Sequence, residues 1–425
     1  MSNNQVSFFN KYEPDSMLPN IRLFWKSAKG IHIWDRNDKK YIDFTSSIFV
    51  TNIGHGNKNF ANKIEKILKS PISHTYIYFN NPRKEYIKKL INFIDNKKLK
   101  KCFLVSSGTE SIEAAVKLMR LNGMEQHKNK KGIISLKGNW HGRTMGAQML
   151  SDNISQSKWI SPDKDVFHID FPYPWIDEFD SEEFFQKSID KVFNKKFNFK
   201  NKITGLVIEA FQGWGALFYP KNYVKSLNKF CKKNKILITI DEMQSGFCRT
   251  GKKFAYEHYN FSPDLMCIGK AMGSGLPLSG VVTSNKIINV KDGSLTSTHS
   301  ANPISCVAGI ATIDEIKRLN LVKKLKKTGK IFENLLEELH TNHKNIINCV
   351  SGKGMIGAII FKDFKKIKSK HIADKVSFAC LKKGLLVVNT GRESIKLGPP
   401  LIISETELKK SFKIINESIT EVELI

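Results

Sequence analysis

Between residues 102 and 283 the chain repeats one pattern: a short apolar run, then glycine, hydroxyl or charged residues, then a stretch of helical length. The runs are Cys102–Val105, Gly132–Leu136, Thr204–Glu209, Lys235–Ile240, Asp264–Ile268 and Gly280–Thr283, with helical spacing over 109–121 and 220–233. Runs that are apolar throughout, without alternation, read as strands buried on both faces. Such strands need helices above and below them, which predicts an α/β fold built on a mostly parallel sheet. That class of sheet binds its ligands beyond the carboxyl ends of the strands, so the residues following each run are the ones to examine for chemistry.

The flanking regions differ. Residues 31–44 (IHIWDRNDKKYIDF) read as a hairpin, and 58–70 and 82–94 as helices. Residues 151–201 form a long insertion punctuated by aromatics and prolines. After residue 302 come long helices (303–318 and 321–341), then short strands (354–361, 385–388, 394–397) and helices (371–383, 405–419). This predicts an N-terminal segment, 1–57, packing with a small domain; a large domain, 58–302; and a smaller α+β domain, 303–425.

Composition narrows the function classes. At 425 residues and 41% hydrophobic, the chain can bury a large core. No apolar run reaches the ~18–20 residues of a membrane span, and the first residues lack the basic-then-apolar pattern of a signal peptide. Seven scattered cysteines without a C-x-x-C pair read as reduced core thiols, so a cytoplasmic protein is expected. The formal charge is +28, carried by 60 lysines and only eight arginines. Planar recognition of phosphate, carboxylate or guanine favours arginine. The lysines therefore read as a solvated surface, with a functional basic patch as the alternative.

The run ends carry the chemistry. After Cys102–Val105 come Ser106, Ser107, Gly108, Thr109 and Glu110 at a helix start: an anion site made of free N–H groups, or an ordinary capped N-terminus. After Gly132–Leu136 comes Gly138-Asn139-Trp140-His141-Gly142-Arg143, with a Trp able to stack on a flat ring or to join the core, and an Arg able to clamp a carboxylate. Asp241 follows Lys235–Ile240, as a ring partner, a cap or a metal ligand. Lys270 follows Asp264–Ile268 and precedes a Gly-rich turn; a lysine desolvated there has a lowered pKa and can attack a carbonyl. Phosphate cup, stacking aromatic, carboxylate and Schiff-base lysine together match the needs of pyridoxal phosphate. No Walker loop and no G-x-G-x-x-G follows any run, and no metal site is expected.

Through these residues together, the chain resembles class III pyridoxal-phosphate aminotransferases of fold type I over nearly its whole length. The matching stretches are IGHGN (53–57), SSGTES (106–111), GNWHGRT (138–144), EAFQGWGA (209–216), DEMQSGFCRTGK (241–252), PDLMCIGKAMGSGLPLSG (263–280), STHSANP (297–303) and IKLGPPL (395–401). The resemblance implies a seven-stranded, mostly parallel sheet and a role for each position. Lys270 holds the cofactor as a Schiff base and then moves protons. Asp241 pairs with the pyridine nitrogen, Gln244 meets the ring hydroxyl and Trp140 stacks on the ring. Ser107, Gly108 and Thr109 hold the phosphate, and Thr298 reaches the phosphate of a neighbouring subunit, which implies a homodimer. Neither nucleic acid nor membrane is an implied partner.

On the substrate side the resemblance implies Ile48 and Arg143, a pairing found in relatives acting on 4-aminobutyrate-like ω- or β-amino acids. Relatives carry an arginine before the Pro-Pro, paired with a glutamate that matches Glu209; this chain has Lys396, which lacks the bidentate fork. Arg392, four residues earlier, is the substitute candidate. The expected activity is ping-pong transfer of an amino group to 2-oxoglutarate or pyruvate. The alternatives are a pyridoxal-phosphate isomerase (aminomutase or amino-acid racemase) on the same scaffold, which needs no oxo-acid acceptor, and a non-enzymatic basic binding protein, which has no use for Lys270.

Overall fold

The computed structural model describes residues 3–17, 21, 23–70, 72–176, 181–290 and 295–424. Its strands are β1 (Trp25–Lys29), β2 (His32–Asp35), β3 (Lys40–Asp43), β4 (Lys101–Val105), β5 (Gly132–Leu136), β6 (Val166–Ile169), β7 (Ile203–Glu209), β8 (Leu237–Asp241), β9 (Leu265–Ile268), β10 (Ser279–Thr283), β11 (Ile347–Lys353), β12 (Ile356–Phe361), β13 (Leu385–Leu386), β14 (Val388–Asn389) and β15 (Ser394–Leu397).

Seven of them form one sheet in the order β4-β10-β9-β8-β7-β5-β6. β10 runs antiparallel to both neighbours, and all other pairs are parallel. The central strands β5, β7, β9 and β10 are buried at every residue, as strands covered on both faces must be. The helix Gly108–Gln126 packs across β10, β7 and β9. Its start is fixed by a reciprocal capping box between Ser107 and Glu110.

Two smaller sheets complete the molecule. The hairpin β2–β3 is extended by β1 on one side and, in parallel, by β13 on the other. The antiparallel sheet β11-β12-β15-β14 carries the C-terminal strands. Among the described residues no helix is long and apolar enough to cross a membrane.

The structure departs from the sequence reading in two places. The insertion 151–201 contains β6, the edge strand of the large sheet. Three of its four residues are only half-buried, so it lacks the continuous apolar signature of the inner strands. The strand expected over 354–361 is β12, and a strand the sequence reading did not contain, β11, precedes it and pairs with it across the turn at Gly354 (φ +62). β11 is an edge strand with Ser, Gly and Lys in its second half, which dilutes its pattern.

One side chain ties these units together. Arg249 is fully buried in the loop after β8. Its guanidinium donates to the carbonyls of Met355 and Pro399, to Ser46 Oγ and to Asn52 Oδ1. Ser46 begins four consecutive left-handed residues, Ser46, Ser47, Ile48 and Phe49 (φ 44, 52, 60 and 66). Left-handed helical geometry costs L-residues roughly 1–2 kcal/mol each, so the turn needs external support. Asp43 Oδ1 accepts from the N–H groups of Thr45 and Ser46, Ser46 Oγ donates to the carbonyl of Gly398, and Phe49 is buried under Arg249 and against Gly398. The partners of Arg249 are neutral acceptors, and leaving one such buried group unmet typically costs about 1–3 kcal/mol. Arg249→Ala is therefore expected to lower the urea midpoint of unfolding by that equivalent. Arg249→Lys, which keeps the charge but fewer of the bonds, should lose less. An unchanged midpoint in Arg249→Ala would refute the linking role.

Candidate active site

The parallel register places two carboxylates side by side. Glu209 is the last residue of β7 and Asp241 the last of β8, and they are direct partners in the ladder. Asp241 is followed by Glu242, and alternation sends the two acids to different surroundings. Glu242 is buried and accepts from Ser245 Oγ and the N–H groups of Ala255 and Tyr256, so it fixes a loop. Asp241 turns to the strand-end side. Its Oδ2 contacts His141 Nδ1 at 2.9 Å and its Oδ1 accepts from Met243 N at 2.9 Å.

His141 is buried, its backbone N–H bonded to Ser151 Oγ (2.8 Å) and its Nε2 3.3 Å from Asn139 Nδ2. An amide N–H can only donate, so Nε2 accepts and Nδ1–H is left to donate to Asp241. The aspartate is thus held as an oriented acceptor. The sequence reading quoted His141 within GNWHGRT without giving it a role. Its place beside Trp140, after a strand, was the available signal, but the partner lies 100 residues away.

Lys270 follows β9 in a left-handed conformation (φ +46), an uncommon one for a side chain with Cβ and a mark of a constrained position. Burial pulls its pKa down, while the negative charges of Asp241 and Glu209 oppose the shift. Among the described residues no group hydrogen-bonds its Nζ.

A second chain of contacts runs from the ring side to the C-terminal sheet. Glu209 Oε2 accepts from Trp140 N (3.0 Å) and Gly213 N (3.1 Å), and its Oε1 accepts from Gln244 Nε2 (3.3 Å). Gln244 Oε1 in turn accepts from Lys396 Nζ (2.8 Å). Lys396 therefore reaches Glu209 through Gln244 and not directly, and the Gln244 amide is engaged at both ends. Lys396 is buried, with its ammonium 4.8 Å from the Phe49 ring centroid. Burial pushes Glu209 up to about 7, with His141 opposing and Asp241 reinforcing. Burial brings Lys396 down to about 7, with Glu209 opposing and Lys270 reinforcing.

At the start of the Gly108–Gln126 helix both readings of the sequence hold together. Glu110 caps the N–H groups of Ser106 and Ser107, yet the N–H groups of Gly108 and Thr109 meet no acceptor among the described residues. Those N–H groups and the helix dipole form an anion site. A side-chain Cβ at 108 would fall 2.9 Å from Met243 Sδ, two residues past Asp241. The cup thus borders the carboxylate through Met243. Thr109 Oγ1 lies 2.5 Å from Thr144 Oγ1, joining the cup to the loop that carries Trp140. The residues present fit pyridoxal phosphate: an amine without a partner, an oriented carboxylate, an aromatic face and unfilled N–H donors for a phosphate.

Other expected residues lie further out. Arg143 is exposed, its guanidinium 5.2 Å from the Trp140 ring centroid. Ile48 is exposed on the left-handed turn. Arg392 lies over Trp214 at 3.8 Å and contacts Glu393. Thr298 is exposed in the 295–301 segment, with no contact to the groups above.

Comparison with known proteins agrees with this geometry. Residues 15–419 match the family described as aminotransferase class-III. The chain is 29% identical to an acetylornithine aminotransferase of Caldanaerobacter subterraneus subsp. tengcongensis over 98% of this chain and 99% of that protein. It is 31% identical to an acetylornithine aminotransferase of Clostridium acetobutylicum over 94% and 97%. Among solved structures it resembles a transaminase from the marine bacterium Virgibacillus, with a TM-score of 0.89, 26% identity and 98% of each chain covered. A lysine after β9 with no hydrogen bond to its Nζ among the described residues, in the field of an oriented aspartate, thus has its explanation: the chain belongs to the class III aminotransferases, enzymes that depend on pyridoxal phosphate.

Proposed function

We propose that this aminotransferase takes its amino group from a donor whose amine is remote from a carboxylate, an ω- or β-amino acid of the 4-aminobutyrate type, and passes it to 2-oxoglutarate or pyruvate. The observation that supports the site assignment is the Lys270 amine, half-buried and without a hydrogen-bond partner among the described residues, within the field of the His141-oriented Asp241. Ser107, Gly108 and Thr109 would hold the phosphate, Trp140 the ring face, Asp241 the ring nitrogen and Gln244 the ring hydroxyl. Bound there, pyridoxal phosphate supplies the carbonyl that takes up the amine and the electron-accepting ring. Lys270 Nζ, its pKa lowered, moves the proton at the reacting carbon, and Asp241 keeps the ring side charged.

The donor class is supported by what the substrate side offers. Arg143 is an exposed guanidinium beside Trp140, and Ile48 gives the turn an apolar face. Lys396, bound to Gln244, offers a single ammonium where relatives keep a planar fork. The two relatives compared above are both named acetylornithine aminotransferases, which supports an amino-acid donor for this chain.

We also propose a homodimer. Tyr78 and Phe79 are 74% and 97% exposed, a degree of apolar exposure that marks an interaction surface. His74 in the same segment packs on His299 next to Thr298, ring centroids 5.3 Å apart. A second copy seated there would receive Thr298.

Three outcomes test these proposals. Borohydride treatment of the enzyme followed by proteolysis should leave the pyridoxyl mass on Lys270. Lys270→Ala should show none and lose activity by about 10²–10⁴; retention of either would remove Lys270 from its role.

The pH dependence follows from Glu209 and Lys396. Glu209 is raised from its ordinary value, so it is neutral below about 7. Lys396 is lowered, so it is charged below about 7. The pair therefore goes from net positive to net negative as pH rises through 7. KM for 4-aminobutyrate should rise by about tenfold between pH 6 and pH 8, and Lys396→Met should flatten that rise; a flat wild-type profile contradicts the assignment.

Finally, Tyr78→Asp/Phe79→Asp should shift the mass by light scattering toward 48.4 kDa, with loss of activity. An unchanged dimer places the interface elsewhere.

A further inference from the structure

The loop that follows Glu209 builds a structure the reaction itself does not use. Glu209 accepts from Gly213 N, and the next residue is Trp214. The Trp214 indole N–H donates to Gln212 Oε1 (2.6 Å), and Gln212 Nε2 donates to the carbonyl of Lys137 (2.7 Å). Trp214 is therefore anchored to the loop that carries Trp140. Two more rings from the insertion join it. Tyr173 and Trp175 are stacked, centroids 4.8 Å apart and planes within 14°, and each lies 6.2 Å from Trp214. A Cβ at Gly138 would fall 2.8 Å from Tyr173 Oη, so this cluster directly borders the Trp140 loop. Trp175 remains exposed.

The C-terminal sheet supplies the charge. Ser394 Oγ donates to the carbonyl of Trp214 (3.1 Å). Ser394 and Lys396 lie two apart on β15 and so share a face. Two residues before Ser394, Arg392 sets its guanidinium 3.8 Å above Trp214. One short segment therefore carries a buried lysine bound to Gln244 and an exposed arginine, their Cα atoms at most roughly 14 Å apart. Stacking on Trp214 fixes the plane of the Arg392 fork. Its one acidic contact among the described residues, Glu393 Oε1 at 3.3 Å with both partners partly exposed, is of the weak surface kind that an incoming carboxylate can displace.

We propose that Trp214, Tyr173, Trp175 and Arg392 form a distal subsite for the amino donor, in which the rings take an apolar or planar stem and Arg392 takes a carboxylate at its far end. The inference rests on the proposed ω-amino donor and narrows it to donors whose carboxylate lies several bonds beyond the amine. Lys396 and Arg392 then divide the work. The inner lysine sets the charge near the reacting carbon, and the outer arginine measures the length of the donor. The aromatic cluster, drawn from the insertion and from the loop after β7, makes donor selection depend on a segment outside the cofactor motifs.

The test uses two amines of equal length, 6-aminohexanoate and hexylamine, with the holoenzyme, Arg392→Gln, Trp214→Leu and, as a control, Trp159→Phe at an exposed indole away from the cluster. Arg392→Gln should lower kcat/KM for 6-aminohexanoate about tenfold, through KM, while hexylamine changes by less than about twofold. Trp214→Leu should act in the same direction by loosening Arg392, and Trp159→Phe should act on neither. Adipate, which cannot react, should quench tryptophan fluorescence of the holoenzyme, with Kd raised by a similar factor in Arg392→Gln. Equal effects on both amines, or an adipate affinity unchanged by Arg392→Gln, would overturn the subsite. If alanine serves the wild type as donor while neither ω-amine does, the donor class fails by itself, and the adipate titration still decides whether the subsite exists.

Discussion

Arg249 places a guanidinium where water cannot reach it, and its hydrogen-bond partners come from distant parts of the chain: Ser46 and Asn52 near the N-terminus, Met355 and Pro399 near the C-terminus. A buried charge of this kind is costly unless its donors are met, and these four acceptors meet both terminal nitrogens, leaving Nε without a partner. That arrangement decides more than stability. Ser46 opens the left-handed turn that sends Phe49 beneath Lys396 and Ile48 outward. Pro399 follows β15, whose register sets Lys396 against Gln244. The surroundings of Lys396, Gln244 and Phe49 are therefore assembled from three separated segments around Arg249.

The cofactor side depends on a simpler constraint, the register of parallel strands. Because Glu209 and Asp241 are ladder partners, two carboxylates lie at one sheet edge, and each must be kept from disfavouring the other. The structure separates their roles through different partners. Asp241 has the His141 ring, while Glu209 has two backbone N–H groups and the Gln244 amide. Lys270 and Lys396 bring two amines into the same enclosure, and burial lowers the pKa of both. Glu209 and Lys396, both brought to about 7, are the pair whose charge changes around neutrality.

Much of this was legible before any coordinates. The inner strands are apolar at nearly every residue because both faces are covered, so their ends could be found, and Asp241, Lys270 and the Ser107–Thr109 turn fall at those ends. The edge strands β6 and β11 were hidden because half-exposed strands carry mixed residues. The left-handed turn at 46–49 was hidden for a different reason: Ser, Ser, Ile and Phe have no preference for positive φ, and the conformation is imposed by Asp43, Gly398 and Arg249.

The sequence by itself determined the inner strands of the large sheet, the family, and which residues stand at the strand ends as candidates to hold the cofactor, because local pattern and motif spacing are properties of neighbouring residues. Only the tertiary structure decided how those groups are paired. His141 with Asp241, Gln244 between Glu209 and Lys396, and Arg392 upon Trp214 join residues 100, 35, 152 and 178 positions apart. Pairings over such separations are set by strand register and by the packing of the C-terminal sheet against the large one, which no local stretch of sequence specifies.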